Sequence, residues 1–467
     1  MELKIIKQAL PNITQVKFVF NNTDQVFRGD TGDTHFDAKE NILLVGLGKP
    51  KQNNNSFQSQ ILQLQCASNP ISSSMLSALL DACKMHSIEN IIIPVSSSNV
   101  RALAESIGDI MYQYPKDQAS PTNEKSLKQI YLLVEGANNV SQEDLLIANV
   151  INKAKEKVRT LTMSPPNICT TDYMLSNIIE TVKKSSASTY RVLDESNLLD
   201  EGMNCFLAVG RGSRQPTYMV IAHYNNSSNT QEPTVMVGKG VVFDSGGLNI
   251  KTGRYMYGMH TDMGGAAVVL GVLQAAQELE LPINLICVFC LAENAVGPNS
   301  YRPGEVIKSH KGKTVEIIDT DAEGRLLLCD ALSYVSKYQP KELIDIATLT
   351  GSIAYSLGES HTGMFTNSDV MFNEMIKAAI QSNDLVWPMP LTSDYSSRLK
   401  SYSADISHLG SGGSGATTAA LFLQEFVTCS NWVHLDIAGT MRGDKQQGPI
   451  PTGRSLALLV QYLINQI

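Results

Sequence analysis

Long apolar runs are what the sequence most plainly lacks. No stretch reaches the roughly eighteen consecutive apolar residues of a membrane-spanning helix. The opening MELKIIKQALPNITQ holds no apolar core of signal-peptide length, so a cytoplasmic protein without membrane association is expected. Basic excess is missing too. There are 37 Lys and Arg against 45 Asp and Glu, a net charge of −8 and a pI near 5.6, which weighs against a dominant nucleic-acid role. The eight cysteines are scattered rather than set out as a disulfide framework. Cys287 and Cys290 alone have suggestive spacing, but NLICVFCL reads as a buried strand in which positions three apart face opposite ways. Core packing is expected of them, not zinc or redox chemistry. With 43% hydrophobic and 18% charged residues in a chain of 467, what remains is an ordinary globular protein, large enough for more than one domain.

Short apolar runs alternate with amphipathic stretches along the whole chain, which predicts an α/β fold. In the first third, strands are expected at Asn41–Gly46, Asn90–Pro94 and Ile130–Val134, and helices at Met75–Met85 and Val100–Tyr114. Gly46-Leu-Gly48 follows a strand, but the third glycine and the helix start of a dinucleotide fingerprint are missing, so a surface turn is expected there. Ser141 can cap a helix whose apolar positions Ile147, Val150, Ile151, Ala154 and Val158 recur at helical spacing. The reading is a smaller N-terminal α/β domain (1–140), a linker helix (141–161) and a larger C-terminal α/β/α domain with a mixed sheet (162–467). In the larger domain, strands are expected at Phe206–Val209, Tyr218–His223, Val235–Gly238, Asn284–Leu291, Leu343–Thr348 and Trp432–Ile437. Helices are expected at Met263–Leu279, Arg325–Tyr338, Thr417–Thr428 and Ser455–Asn465. The apolar stripe Leu456, Leu459, Val460, Leu463 and Ile467 marks the last as a packing helix. Several strands run into small or polar residues: Lys239, Ala292-Glu293-Asn294, Thr348-Leu349-Thr350-Gly351 and Ala438-Gly439-Thr440. Ligands of open α/β sheets bind outside such strand ends.

The chemistry gathers in two stretches. VGKGVVFDSGGLNIKTGRYMYGMHTDMGG holds Lys239, Asp244, Lys251 and Asp262, and DTDAEGR holds Asp321, Glu323 and Arg325 at alternate positions. Alternation in an extended chain would turn those three to one side. Alone, Asp262 reads as a helix cap, Asp244 as a turn residue, and Asp321 and Glu323 as partners of a helix's positive end. Together, four acids in one place would repel unless cations neutralise them. Oxygen donors suit magnesium or manganese, and carboxylates also bind zinc. Lys239, between glycines after a buried strand, is poorly placed for a solvated charge; as a neutral amine it could ligate a metal. Lys251, kept charged near the metals, could stabilise an oxyanion.

VGKGVVFDSGGLNIK, the run from Met256 to Ala267 and TDAEGRL together resemble the leucyl aminopeptidases, the M17 family of cytosol aminopeptidases. Further matches are Ala292-Glu-Asn with Arg302-Pro-Gly, Asp345-Ile-Ala-Thr-Leu-Thr-Gly and His434-Leu-Asp-Ile-Ala-Gly. The resemblance covers the chain from Thr162 onward. It implies two divalent metal ions per subunit (zinc or manganese, with magnesium or cobalt as alternatives). One would be held by Asp244, Asp321 and Glu323, the other by Lys239, Asp244, Asp262 and Glu323. Lys251 and Arg325 would be the catalytic residues, with bicarbonate held by Arg325 and backbone amides near Gly324 and Leu349. Met259, Thr348, Gly351, Ala438 and Met441 would line an apolar pocket for the first side chain. The implied activity is release of N-terminal leucine and other apolar residues from peptides, in a homohexamer. Some bacterial members also bind DNA, for which the acidic balance here offers no support.

Three places depart from the family pattern: Asp319 stands where asparagine is usual, His260 where lysine or arginine is common, and Glu293-Asn-Ala-Val-Gly-Pro where E-N-M-P-S-G is usual. His260 is expected outside the metal set, which is complete without it. Gly410-Ser-Gly-Gly-Ser-Gly415 lacks a Walker lysine and reads as a flexible loop beside the site. A phosphoesterase using the same carboxylates is the rival reading, and lysine as a ligand together with the apolar pocket favours peptides.

Overall fold

The computed structural model describes residues 2–6, 14–19, 34–37, 42–46, 73–85, 90–96, 99–112, 129–135, 142–227, 232–442 and 451–467. The chain forms two compact units, Met1–Lys153 and Ala154–Ile467.

In the first unit, strands β1 (Glu2–Ile6), β2 (Thr14–Val19), β3 (Thr34–Asp37), β4 (Ile42–Gly46), β5 (Asn90–Ser96) and β6 (Gln129–Glu135) make one sheet. Their order is β1-β6-β5-β2-β4-β3, and the edge strand β3 is antiparallel to its neighbour. Helices Ser73–Met85 and Val100–Met111 bring Leu76, Leu79, Leu103 and Ile107 into one core with Ile91, Ile93, Ile130 and Leu132 of the strands. Helix Gln142–Met163 carries Glu143 and Asp144 in its first turn, where they complement its positive end. Its expected cap Ser141 and the turn after Gly46 lie outside the described residues. The division between units falls inside this helix. Asn152 donates to the Ala104 carbonyl of the first unit, while Arg159 donates to the Thr452 carbonyl of the second.

The second unit is built on β7 (Ser188–Leu193), β8 (Tyr218–Asn225), β9 (Thr234–Asp244), β10 (Asn284–Asn294), β13 (Glu342–Ala347), β14 (Thr362–Thr366), β15 (Val386–Pro388) and β17 (Trp432–Asp436). The sheet order is β15-β14-β17-β13-β9-β10-β8-β7. Its middle, β17-β13-β9-β10, is parallel, and β8, β7 and β14 bring antiparallel pairings, so the sheet is mixed as expected. β11 (Val306–Lys308), β12 (Thr314–Glu316) and β16 (Ile406–Ser407) form a small separate sheet. The central strands are almost wholly buried, which is why they read as continuous apolar runs.

Helix Gly264–Glu278 lies directly on this sheet, and glycine allows it. A Cβ on Gly265 would stand 2.1 Å from the Ile346 carbonyl oxygen, and one on Gly238 would stand 2.7 Å from the Ala266 Cα. The glycines of VGKG and DMGGAA therefore set the distance between helix and strands. Helix Leu456–Ile464 buries Leu456, Leu459, Val460 and Leu463, as its stripe predicts, but Ile467 lies beyond the helix and is exposed. Cys287 and Cys290 are buried free thiols in β10. One expected strand is wrong: Phe206–Val209 belongs to helix Asn204–Gly210. A four-residue apolar run has no periodicity to separate the two conformations.

Candidate active site

The carboxyl ends of β9, β10, β13 and β17 adjoin in the sheet, and each delivers a polar group: Asp244, Asn294, the Thr348–Gly351 turn and Asp436. β9 runs on to Asp244, so Lys239 lies within the strand rather than after it. Beyond Asp244, Gly246 and Gly247 both take positive φ (86° and 64°), and a Cβ on Gly246 would approach Asp321 Oδ1 to 2.9 Å. The DSGG turn is thus a backbone that L-residues with side chains resist.

Charges interlock across this end of the sheet. The Lys239 ammonium contacts Asp262 Oδ1 at 2.9 Å and Oδ2 at 2.8 Å, Glu323 Oε1 at 2.8 Å and the Thr348 carbonyl at 2.9 Å. Lys251 contacts Asp244 Oδ2 at 2.9 Å and Asp321 Oδ1 at 2.5 Å. Asp262 sits in a 3-10 turn, Met259–Met263, and accepts a bond from the Thr348 hydroxyl at 2.7 Å. Gly324 makes room for the Lys239 stem, since a Cβ there would lie 2.5 Å from its Cε.

Burial drives the electrostatics. Desolvation raises the Asp244 carboxyl well above the usual range, with the neighbouring charges of Glu323 and Asp262 adding to it. Burial also lifts Asp262 to about 7 against the opposing pull of Lys239. Asp321 is raised for the same reason. Burial acts on Glu323 in that direction too, but Lys239 and Lys251 outweigh it and hold its carboxyl low. Desolvation would lower Lys239 and Lys251, yet the surrounding carboxylates win and keep both ammoniums charged.

A cavity of about 510 Å³ opens over this cluster. Its lining includes Lys239, Asp244, Lys251, Asp262, Asp321 and Glu323, and also Met259, Thr348, Leu349, Gly351, Ala438 and Met441. Arg325 and Gly324 are not among the lining residues. The extended alternation expected of Asp321, Glu323 and Arg325 is not what the chain adopts. The Ala322 amide closes a turn onto the Asp319 carbonyl at 3.2 Å, and helix Gly324–Tyr334 starts immediately after. Arg325 is buried, feels the Glu323 charge and donates Nη1 to the His408 carbonyl at 2.8 Å. Its Nε is buried without a partner, and burial lowers its pKa to about 10. The Leu349 amide is directed at Asp436 Oδ1, 3.1 Å away.

Residue spacing did not reveal the positioning groups. Asn294 donates to Asp244 Oδ1 at 2.8 Å and to the Thr320 carbonyl at 3.0 Å. Asp436 accepts from the Leu349 and Ala438 amides and, at 2.6 Å, from the Thr350 hydroxyl. Their signal in the sequence is their place at strand ends. His260 lies in the 3-10 turn and is absent from the cavity lining.

The residues fit a multivalent cation. Asp244, Asp262 and Glu323 offer oxygens within 4.8 Å of one another, all buried. The Lys239 ammonium has three protons but meets four oxygens, so one of the four is left without a proton. Asp321 Oδ1 meets only the Lys251 ammonium. Buried oxygen donors in excess of protons, at the carboxyl ends of parallel strands and beneath a partly apolar cavity, define a metal-dependent hydrolase.

Comparison with known proteins narrows the class. The sequence model of the cytosol aminopeptidase family, catalytic domain, matches residues 156–460. A probable cytosol aminopeptidase of Pseudomonas fluorescens strain SBW25 is 37% identical over 431 residues, covering 91% of this chain and 85% of that one. The cytosol aminopeptidase of Buchnera aphidicola subsp. Acyrthosiphon pisum strain APS is 36% identical over 462 residues, covering 94% and 88%. The chain belongs to the cytosol aminopeptidase family, a family of metal-dependent peptidases. Among the described residues no helix is long and apolar enough to cross a membrane.

Proposed function

We propose that the protein removes N-terminal amino acids, apolar ones preferentially, from peptides. The observation that carries this reading is the meeting of Lys239, Asp244, Asp262, Asp321 and Glu323 at a cavity that Met259, Ala354, Ala438 and Met441 also line. Asp244, Asp321 and Glu323 would hold one divalent ion and Lys239, Asp244, Asp262 and Glu323 the other, either zinc or manganese. Bound there, two divalent ions supply a water that is nucleophilic at neutral pH and polarise a carbonyl.

The chain's own residues do the rest. Five carboxylates at the cavity draw in the cationic α-amino terminus, so a blocked N-terminus loses binding. The apolar wall takes the first side chain and excludes water, with only modest discrimination between leucine and methionine. Lys251, held protonated between Asp244 and Asp321, stabilises the oxyanion that forms at the first carbonyl. Asn294 and Thr348 fix the orientations of Asp244 and Asp262. Bicarbonate, as a proton acceptor, would be held through the unpaired Nε of Arg325. A cytoplasmic homohexamer, with residues 162–467 as its catalytic part, belongs to the same reading.

The test is hydrolysis of leucine p-nitroanilide, N-acetyl-leucine p-nitroanilide and p-nitrophenyl phosphate after loading with manganese or zinc. Cleavage of the first alone is expected. Equal cleavage of the blocked substrate, or of the phosphoester only, overturns the assignment.

A further inference from the structure

Asp244, Asp262, Asp319, Asp321 and Glu323 line the cavity, and all but Asp319 touch a lysine. Among the described residues Asp319 makes no ion pair, and the ion-binding set proposed above does not use it. It is nonetheless held in place. Its Oδ1 accepts the Asp321 amide at 2.9 Å, and its carbonyl lies 2.8 Å from His408 Nε2. The cavity's cations are engaged elsewhere. Lys239 and Lys251 serve the other acids, and Arg442 donates to the Gly258 carbonyl and the Thr261 hydroxyl. Arg325 acts on it by charge but is buried, outside the cavity lining, and donates to the His408 carbonyl, so a half-buried, fixed carboxylate without an ion-pair partner is left facing the space a substrate fills.

Its position tells which part of a peptide it meets. Asp319 belongs to the end of the cavity formed by Asp321, Lys251 and Asn249. Asn249 is bonded to the adjacent Thr320 through its amide (2.8 Å) and its Oδ1 (3.0 Å). The apolar wall is at the other end. Met441 packs over Gly264, just past Asp262, and Arg442 ties down the turn that carries Met259. A peptide with its first side chain against Met259 and Met441 places its first carbonyl between Lys239 and Lys251, and its second residue towards Asp319.

We propose that Asp319 selects peptides whose second residue is cationic, lysine or arginine, and disfavours acidic ones there. The proposal rests on the aminopeptidase reading above. A like charge brought against a fixed, partly desolvated carboxylate is penalised, and an ammonium or guanidinium is attracted.

The experiment compares kcat/KM for Leu-Lys-NH2, Leu-Ala-NH2 and Leu-Glu-NH2 with manganese-loaded wild type, Asp319→Asn and Asp319→Glu. A second readout is the inhibition constant of the corresponding Leu-Lys and Leu-Glu amides with a reduced, uncleavable peptide bond. Wild type should favour lysine over glutamate on the order of tenfold, less at high salt. Asp319→Asn keeps the size and an acceptor for the Asp321 amide and should bring both ratios near one; Asp319→Glu should keep the preference. Equal ratios in wild type and Asp319→Asn, with Leu-Ala-NH2 still cleaved, overturn the selectivity alone. Failure of wild type to cleave any of the three amides overturns the aminopeptidase reading and the selectivity with it.

Discussion

The Lys239 ammonium lies 2.8 Å from Glu323 Oε1, inside a core where both side chains are buried. One comes from the middle of a central strand and the other from the residue before a helix, so the contact ties β9 to helix Gly324–Tyr334. Removing one partner of a buried pair leaves the other charge uncompensated, which costs about 3–5 kcal/mol. Lys239→Met should therefore lower the urea-unfolding free energy of the metal-free protein by that order, because Asp262 and Glu323 lose their shared cation. Activity should fall at least a hundredfold in the same variant. An unchanged unfolding midpoint would show that the lysine does not neutralise these acids.

Divalent ions should stabilise the fold itself. A ligand that binds only the folded state at a hundredfold excess over its dissociation constant adds about 2.7 kcal/mol. Calorimetry with manganese or zinc should show a higher Tm than with a chelator, and the difference should shrink in Asp321→Ala. A chelator-insensitive Tm in wild type would mean that the crowded carboxylates are satisfied by the lysines alone.

Gly265 is fixed by contact rather than by φ. Its missing Cβ would overlap the Ile346 carbonyl, a backbone atom of β13 that has no freedom to move aside. Gly265→Ala should destabilise by about 1–3 kcal/mol or more, whereas alanine normally favours a helix over glycine. Because the helix start adjoins Asp262, activity should fall with stability. Thermal unfolding of the variant decides it; a Tm at or above that of wild type would refute the close-packing account.

Much of this was readable from residue order, for physical reasons. Buried strands are continuous apolar runs whether their neighbours are parallel or, as for β8, antiparallel, so β5, β6, β8, β10, β13 and β17 were found near their true bounds. The acids that the structure brings together with Lys239 and Lys251 were singled out because four carboxylates and two lysines in two short stretches make little sense as solvated charges. Phe206–Val209 failed because four apolar residues suit a strand or a helix equally. Arg325 was misdirected because an alternating pattern was read as extended chain where a turn and a helix begin. Asn294 and Asp436 carry no spacing signal: their roles exist only once separate strands lie side by side.

His408 offers a test of the same neighbourhood by pH. The ring is fully buried, with Nε2 2.8 Å from the Asp319 carbonyl and Nδ1 3.2 Å from both the Ile318 amide, which donates to it in the neutral form, and the Glu316 carbonyl. Burial, reinforced by the nearby Arg325 charge, pulls its pKa down to about 4. In the unfolded chain it would titrate near 6.5. Between those values the unfolded state binds more protons, so stability rises with pH, and it is lost as pH falls from about 6.5 through about 4. The separation corresponds to roughly 3 kcal/mol when fully expressed. His408→Gln cannot take up that proton, so the gap in urea-unfolding free energy between wild type and variant should narrow on acidification across this window. If the two curves stay parallel between pH 7 and 4.5, the imidazole is not held neutral, and the tie from His408 to Asp319 and Arg325 must be drawn differently.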